Sequence, residues 1–290
     1  MQQLIYAVAA LGGLGLLFGV LIGIVSKYFD VVQDERIPQI TELLPGANCG
    51  GCGYSGCKAY ATAIVKKGVP VNRCTVGGPS TADSLAGVMG VESVEFIEKK
   101  AVVLCCGNRD SAALRYEYEG VSDCVAADRL GGGQKACTQG CLGFGNCVNV
   151  CDRNAIEVIN GVAYVNDNCK GCGQCAKECP KGLIKIVPKT AKYAVSCSST
   201  LKGAALKDKC TAGCIGCKMC EKVCPTGAIK VENNLASIDY DLCTSCGACA
   251  EKCPKKVIRD ITVLPTKEVK KEEKKKGIKA ETKDVQPVKD

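Results

Sequence analysis

The sequence predicts an α+β fold made of small units organised by their cysteines, carried on one N-terminal transmembrane helix and ending in a disordered tail. Three observations support this. Cysteine supplies 25 of the 290 residues, while His and Trp are absent. The first 26 residues contain no charged side chain. From Cys137 onward the cysteine pattern repeats itself.

Hydrophobic residues make up 47% of the chain, but without cysteine the fraction is roughly 38%, little from which to bury an aliphatic core. Ligation must take over part of the work of packing. The lack of His excludes histidine-ligated haem, Rieske centres, Cys₂His₂ zinc sites and Ser-His-Asp catalysis, leaving thiolate as the strong ligand. Formal charge is +8, from 38 Lys and Arg against 30 Asp and Glu. About five thiolate-bound 4Fe-4S clusters, at roughly −2 each, would bring the holoprotein to about −2. The basic balance therefore points to no nucleic-acid partner. An odd cysteine count argues against a complete disulfide framework and for a reducing compartment.

The apolar run from Leu4 to Val25 has 22 residues, about 33 Å as a helix and enough for one bilayer crossing. It lacks a preceding cationic stretch and a following small-x-small site, which favours an anchor over a cleaved signal. Lys27 and Arg36 lie only on its C-terminal side, so the expected location is the cell (inner, cytoplasmic) membrane, single-pass, with the body in the cytoplasm. No ionisable side chain interrupts the run, which assigns any ion movement to other subunits. Gly15, Gly19 and Gly23 suit close approach of another membrane helix or reflect ordinary glycine tolerance.

Three runs share the spacing C-x₂-C-x₂-C-x₃-C-P: Cys169-Cys172-Cys175-Cys179, Cys214-Cys217-Cys220-Cys224 and Cys243-Cys246-Cys249-Cys253. In this ferredoxin-type pattern a tight loop wraps three thiolates around one cluster and the fourth reaches its neighbour. A fourth run, Cys137-Cys141-Cys147-Cys151, is irregular and is followed by Asp152 rather than Pro. Crossed ligation then predicts four sets. Cys137, Cys141 and Cys147 join Cys179; Cys169, Cys172 and Cys175 join Cys151. Cys214, Cys217 and Cys220 join Cys253; Cys243, Cys246 and Cys249 join Cys224. An N-terminal module, Cys49-Cys52-Cys57-Cys74, supplies one isolated cluster amid glycines that turn backbone amides toward sulfur. These sets require about five 4Fe-4S clusters. Cys105, Cys106, Cys124, Cys197 and Cys210 remain, either as buried or free thiols or as the source of a sixth cluster whose spacing fits no recognised loop.

The repeat carries Cys147 and Cys151 onto Cys220 and Cys224, 73 residues later, and Cys169 through Cys179 onto Cys243 through Cys253, 74 later. Each unit has an inner hairpin signal, across Asn160-Gly161 in the first and Asn233-Asn234 in the second. Lys58 to Lys67 reads as a helix and Ala101 to Leu104 as a strand. The expected organisation is an anchor at 1–26, a single-cluster domain at 27–91, a connecting segment at 92–134, a two-cluster unit at 135–190, a connector at 191–209, a second two-cluster unit at 210–264 and a charged disordered tail at 265–290.

The uncharged anchor, the Leu44-Pro45-Gly46-Ala47-Asn48-Cys49-Gly50-Gly51-Cys52-Gly53 module and the ferredoxin-type runs, in this order, resemble the B-subunit family of the Rnf ion-translocating electron-transport complexes over most of residues 1–260. The resemblance implies a membrane complex passing electrons between reduced ferredoxin and NAD⁺ while moving Na⁺ or H⁺. Its partners would be reduced ferredoxin and the other Rnf subunits, including membrane-embedded ones. Shorter relatives carry one two-cluster unit where this chain has two. The N-terminal module is also similar to one in corrinoid iron-sulfur proteins, without a corrinoid domain here. No phosphate loop, histidine or strand-flanked G-x-G-x-x-G is present, so no catalytic residue is assigned and the chain is enzymatic only as a subunit of a redox-driven translocase. Two alternatives stand: a membrane-anchored polyferredoxin of a hydrogenase or formate dehydrogenase, and a non-redox zinc or iron-sensing thiolate protein.

Overall fold

In the computed structural model, residues 2–28, 34–92 and 95–263 are described. The expected tail at 265–290 and part of the polar linker lie outside them. Helix α1 (Gln2–Tyr28) contains the apolar run, with a mean hydropathy of 2.5 over its membrane-length window and none of that window buried against protein. A helix that presents Leu, Ile and Phe on every side suits lipid rather than water.

Three helices build the next module: α2 (Arg36–Leu43), α3 (Cys57–Lys67) and α4 (Gly78–Met89). In α3 the residues Tyr60, Ala61, Ala63 and Ile64 recur at helical spacing and are buried. Gly68, in the left-handed region, ends the helix by donating its N–H to the Ile64 carbonyl. Ile37 and Ile40 of α2 and Leu85 of α4 close the same core, each side chain contributing roughly 1.5–3 kcal/mol. The Tyr60 hydroxyl donates to the Pro70 carbonyl at 2.8 Å and accepts from the Arg73 N–H at 3.1 Å, which fixes the chain just before Cys74.

The remainder is organised by four two-stranded antiparallel sheets. Strand β1 (Lys99–Val103) pairs with β4 (Ile184–Pro188), enclosing in sequence the hairpin of β2 (Ile156–Ile159) and β3 (Val162–Val165). The order recurs: β5 (Tyr193–Val195) pairs with β8 (Ile258–Asp260) around the hairpin of β6 (Ile229–Glu232) and β7 (Leu235–Ile238). Both hairpins turn in two residues of positive φ, Asn160 (50°) with Gly161 (78°) and Asn233 (49°) with Asn234 (63°), matching the expected type I′ chemistry.

The segments expected as connectors do more than connect. Residues 92–134 supply β1 and 191–209 supply β5, each the outer strand of a sheet whose partner lies tens of residues further on. Such pairing leaves no local signature in sequence. Short helices follow the cysteine loops: α5 (Cys124–Arg129), α6 (Asn146–Asn149), α7 (Gln174–Glu178), α8 (Gly203–Lys207), α9 (Met219–Val223) and α10 (Ala248–Glu251). The apolar interior is divided into small groups, three of which count cysteines among their buried members.

Tyr60→Phe keeps the ring but leaves the Pro70 carbonyl and Arg73 amide unpaired, so the N-terminal module should lose about 1–3 kcal/mol. Hydrogen exchange across α3 and Arg73 should accelerate while β6 and β7 stay protected; unchanged exchange in α3 would contradict this.

Candidate metal-cluster centres

In the N-terminal module, Cys49 and Cys52 lie on the glycine loop, Cys57 opens α3 and Cys74 follows the Tyr60-anchored turn. The Asn48 side chain accepts the Cys57 N–H at 2.8 Å and so ties the loop to the helix start. Burial raises the Cys74 thiol pKa above its ordinary value, and the neighbouring sulfurs of Cys57, Cys52 and Cys49 add to the rise. The four expected ligands therefore face one another.

This module sits directly on the first ferredoxin-type loop. A Cβ on Gly51 would lie 2.7 Å from the Cys172 carbonyl, so only glycine permits the contact. Lys177 donates to the Cys49 carbonyl at 3.2 Å across the same junction. Beneath it, Cys151, Cys169, Cys172 and Cys175 line one cavity, which Cys49 of the first module also borders.

Cys141, Cys147 and Cys179 line a second cavity, but its fourth cysteine is Cys124, not Cys137. Three features hold Cys124 there. Asp123 caps α5 by accepting the Ala126 N–H at 2.7 Å. The buried Asn146 donates to Asp123 at 2.6 Å and accepts the Cys124 N–H at 2.7 Å, fastening it beside Cys147. Lys181, just past Cys179, pairs with Asp128 of α5 at 2.5 Å. Cys137 lines a different cavity, together with Cys105, Cys106, Cys197 and Cys210. The sequence signal for this is the repeat itself: it carries Cys141 onto Cys214 and Cys147 onto Cys220 but sets Phe144 against Cys217, so one ligand has to come from elsewhere.

In the last unit Cys214, Cys217, Cys220 and Cys253 line one cavity. Cys249 feels the charges of Cys243 and Cys224, and Cys246 is exposed on the same loop. Cys253 thus stands with the upstream loop and Cys224 near Cys249 of the downstream one.

The donor chemistry fits anionic clusters. Backbone N–H groups point at sulfur throughout: Gly77 to Cys74 and Gly171 to Cys169 at 3.4 Å, Ala101 to Cys169 at 3.3 Å, Ala155 to Cys151 and Ser245 to Cys243 at 3.4 Å. Such bonds stabilise charge on cluster ligands. Burial pushes the thiols of Cys147 and Cys175 up to about 12 and that of Cys220 to about 11, so iron must displace protons to bind there. Among the described residues no three Cys, Asp or Glu side chains are placed to share a single metal ion.

The fold and these centres define a class: a membrane-associated iron-sulfur protein of the electron-carrier type, with cysteine sets in succession. Comparison with known proteins agrees. A family described as "Putative Fe-S cluster" matches residues 44–76, and "4Fe-4S dicluster domain" families match residues 168–229 and 213–258. The match at 168–229 spans runs that the structure divides, since Cys179 stands with Cys141 and Cys147 whereas Cys214 stands with Cys220 and Cys253. The B subunit of the Na(+)-translocating ferredoxin:NAD(+) oxidoreductase complex of Acetobacterium woodii is 42% identical over 88% of this chain and 77% of its own length. The B subunit of the ion-translocating oxidoreductase complex of Methanosarcina acetivorans is 44% identical, over 88% of this chain and 97% of its own. The B subunit of the proton-translocating ferredoxin:NAD(+) oxidoreductase complex of Clostridium ljungdahlii is 43% identical, over 90% and 94%. The chain belongs to this B-subunit family of the Rnf complexes.

Replacing Cys179 by Ala should remove about four irons and the same paramagnetic signal that Cys141→Ala removes, whereas Cys175→Ala removes a different one. Loss of a signal shared by Cys179→Ala and Cys175→Ala would contradict the crossing.

Proposed function

We propose that this chain is the electron-transfer subunit of an ion-translocating ferredoxin:NAD⁺ oxidoreductase, acting on the ferredoxin side with about five or more 4Fe-4S clusters. The observation that carries the reading is the succession of cysteine sets in one body, the first of them in contact with one another. Gly51 and Lys177 join the Cys49 set to the Cys172 loop. The sulfur charge of Cys147 reaches Cys175 in the adjoining set.

Bound 4Fe-4S clusters supply one-electron chemistry, at potentials set by amide hydrogen bonds, burial and charge. The protein's own share is to hold and insulate them. Cys217 and Cys246 are the two solvent-exposed cysteines, both in the last unit. Exposed Lys218, Lys222 and Lys252 stand near them in sequence and would steer a negatively charged soluble carrier such as reduced ferredoxin to that end. Helix α1 would hold the body against the membrane as a single-pass anchor, with the body in the cytoplasm where that carrier is found.

Ion movement belongs to the membrane-embedded subunits of the complex, because the apolar run of α1 from Leu4 to Val25 carries no charged side chain that could bind or relay an ion at membrane depth. Relatives named for Na⁺ and for H⁺ match at 42% and 43% identity, as expected if the ion is chosen outside this subunit.

In membranes holding the assembled complex, combined Lys218→Glu, Lys222→Glu and Lys252→Glu replacement should raise the KM for reduced ferredoxin about tenfold. NAD⁺ reduction driven by an uncharged reductant should hold, and added salt should narrow the difference. An unaltered KM at low salt would overturn ferredoxin docking at this face.

A further inference from the structure

We infer that Cys105, Cys137, Cys197 and Cys210 hold a sixth 4Fe-4S cluster that bridges the two ferredoxin-like units, with Cys124 replacing Cys137 in the neighbouring set. The inference rests on the electron-transfer reading above and adds a centre to it. Geometry comes first. These four cysteines line one cavity, which Cys106 also borders. The backbone at Gly107 passes between two of the sulfurs, a Cβ there lying 3.2 Å from Cys210 Sγ and 3.8 Å from Cys105 Sγ.

Symmetry is the second argument. The 73-residue repeat that carries Cys141 onto Cys214 also carries Cys137 onto Cys210, within Cys-Thr-Gln-Gly-Cys and Cys-Thr-Ala-Gly-Cys. Cys105 and Cys197 are equivalent in the fold, each two residues beyond the end of its outer strand, β1 or β5. Their hydrogen bonds match as well: Cys105 Sγ accepts the Cys141 N–H at 3.3 Å, and Cys197 Sγ accepts the Cys214 N–H at 3.3 Å. Each unit thus contributes the same two ligands to a site on the boundary between them, an arrangement that separate buried thiols have no reason to adopt.

Cys106 is the odd residue out. It borders the same cavity, but its Sγ is engaged in donating to the Ala212 carbonyl at 3.3 Å, its side chain packs in the cluster of Ile229, Val231 and Ile258, and it has no counterpart in the symmetric pairs. Twenty-four of the 25 cysteines then fall into complete sets of four. Charge is also arranged for an anion. Lys135, only 3% exposed, donates to the Gly107 carbonyl at 2.7 Å and the Gly161 carbonyl at 2.9 Å, and its charge acts on both Cys210 and Cys141. A buried ammonium held only by carbonyls calls for compensating negative charge, which a thiolate-bound cluster provides.

The position gives the site its role. Through the peptides of Cys141 and Cys214 it touches a ligand of the last set of the first unit and of the first set of the second. One electron supplied by the set on one side is handed to the set on the other, with no bond made or broken.

The test is iron, acid-labile sulfide and zinc analysis of the full chain, purified without oxygen and reconstituted, with native mass spectrometry and EPR of the reduced protein. The wild-type chain should hold about 24 irons, and Cys137→Ser with Cys210→Ser should hold about 20 and lose one EPR component. Cys106→Ser should keep the full count, and Cys124→Ser should lose a different component. About 20 irons in the wild-type chain, or a zinc ion lost on Cys137→Ser with Cys210→Ser, would overturn the bridging cluster and leave the electron-transfer reading standing. Little iron at all would overturn both. Should the double variant fail to fold, the wild-type cluster count by native mass spectrometry decides between the outcomes.

Discussion

Ligation by cysteine sulfur is the constraint around which this chain is arranged. The four sheets are only two strands wide, and isolated pairs of that size are marginal in water. The apolar interior is correspondingly divided, and outside the N-terminal helical module three of its four buried groups are interleaved with cysteine. Amides that would otherwise be unpaired at the cysteine loops are directed at sulfur. Metal and fold therefore stabilise one another, and loss of metal should loosen the polypeptide as well as its chemistry.

The internal repeat turns this local constraint into a conductor. Each unit closes an outer ladder over an inner hairpin, and the cysteine loops occupy the space between. Cys179 and Cys253 each stand with the upstream loop of their unit, so adjoining sets share a short stretch of backbone. The insertion between β1 and the first loop breaks the symmetry: α5 delivers Cys124 where the first unit has Phe144 in place of a cysteine. Asp123, Asn146 and Lys181 hold the replacement in position.

Much of this architecture is legible in the order of residues alone. The Cys-Pro-terminated runs mark the cysteine loops because loop geometry is encoded in their spacing, and Asn160-Gly161 marks its hairpin because few residues accept positive φ twice in succession. The module at Cys49 is equally plain, since its four ligands lie within one short helical domain. What escapes is non-local. β1 finds β4 across roughly eighty intervening residues, so the segment holding it reads as a connector. Cys124 joins its set through tertiary contacts that carry no spacing rule. Proximity along the chain groups Cys137 with Cys141, although the repeat already pairs it with Cys210.

The central claim is that the cysteine sets hold reducible centres close enough to pass electrons along the body. Pulsed EPR of the fully reduced, detergent-solubilised chain tests it most directly, because neighbouring reduced clusters broaden and split one another's spectra. Strong magnetic coupling is expected in the full chain, lost stepwise as neighbouring sets are removed. Sharp, independent signals that never interact, or no signal on strong reduction, would contradict it.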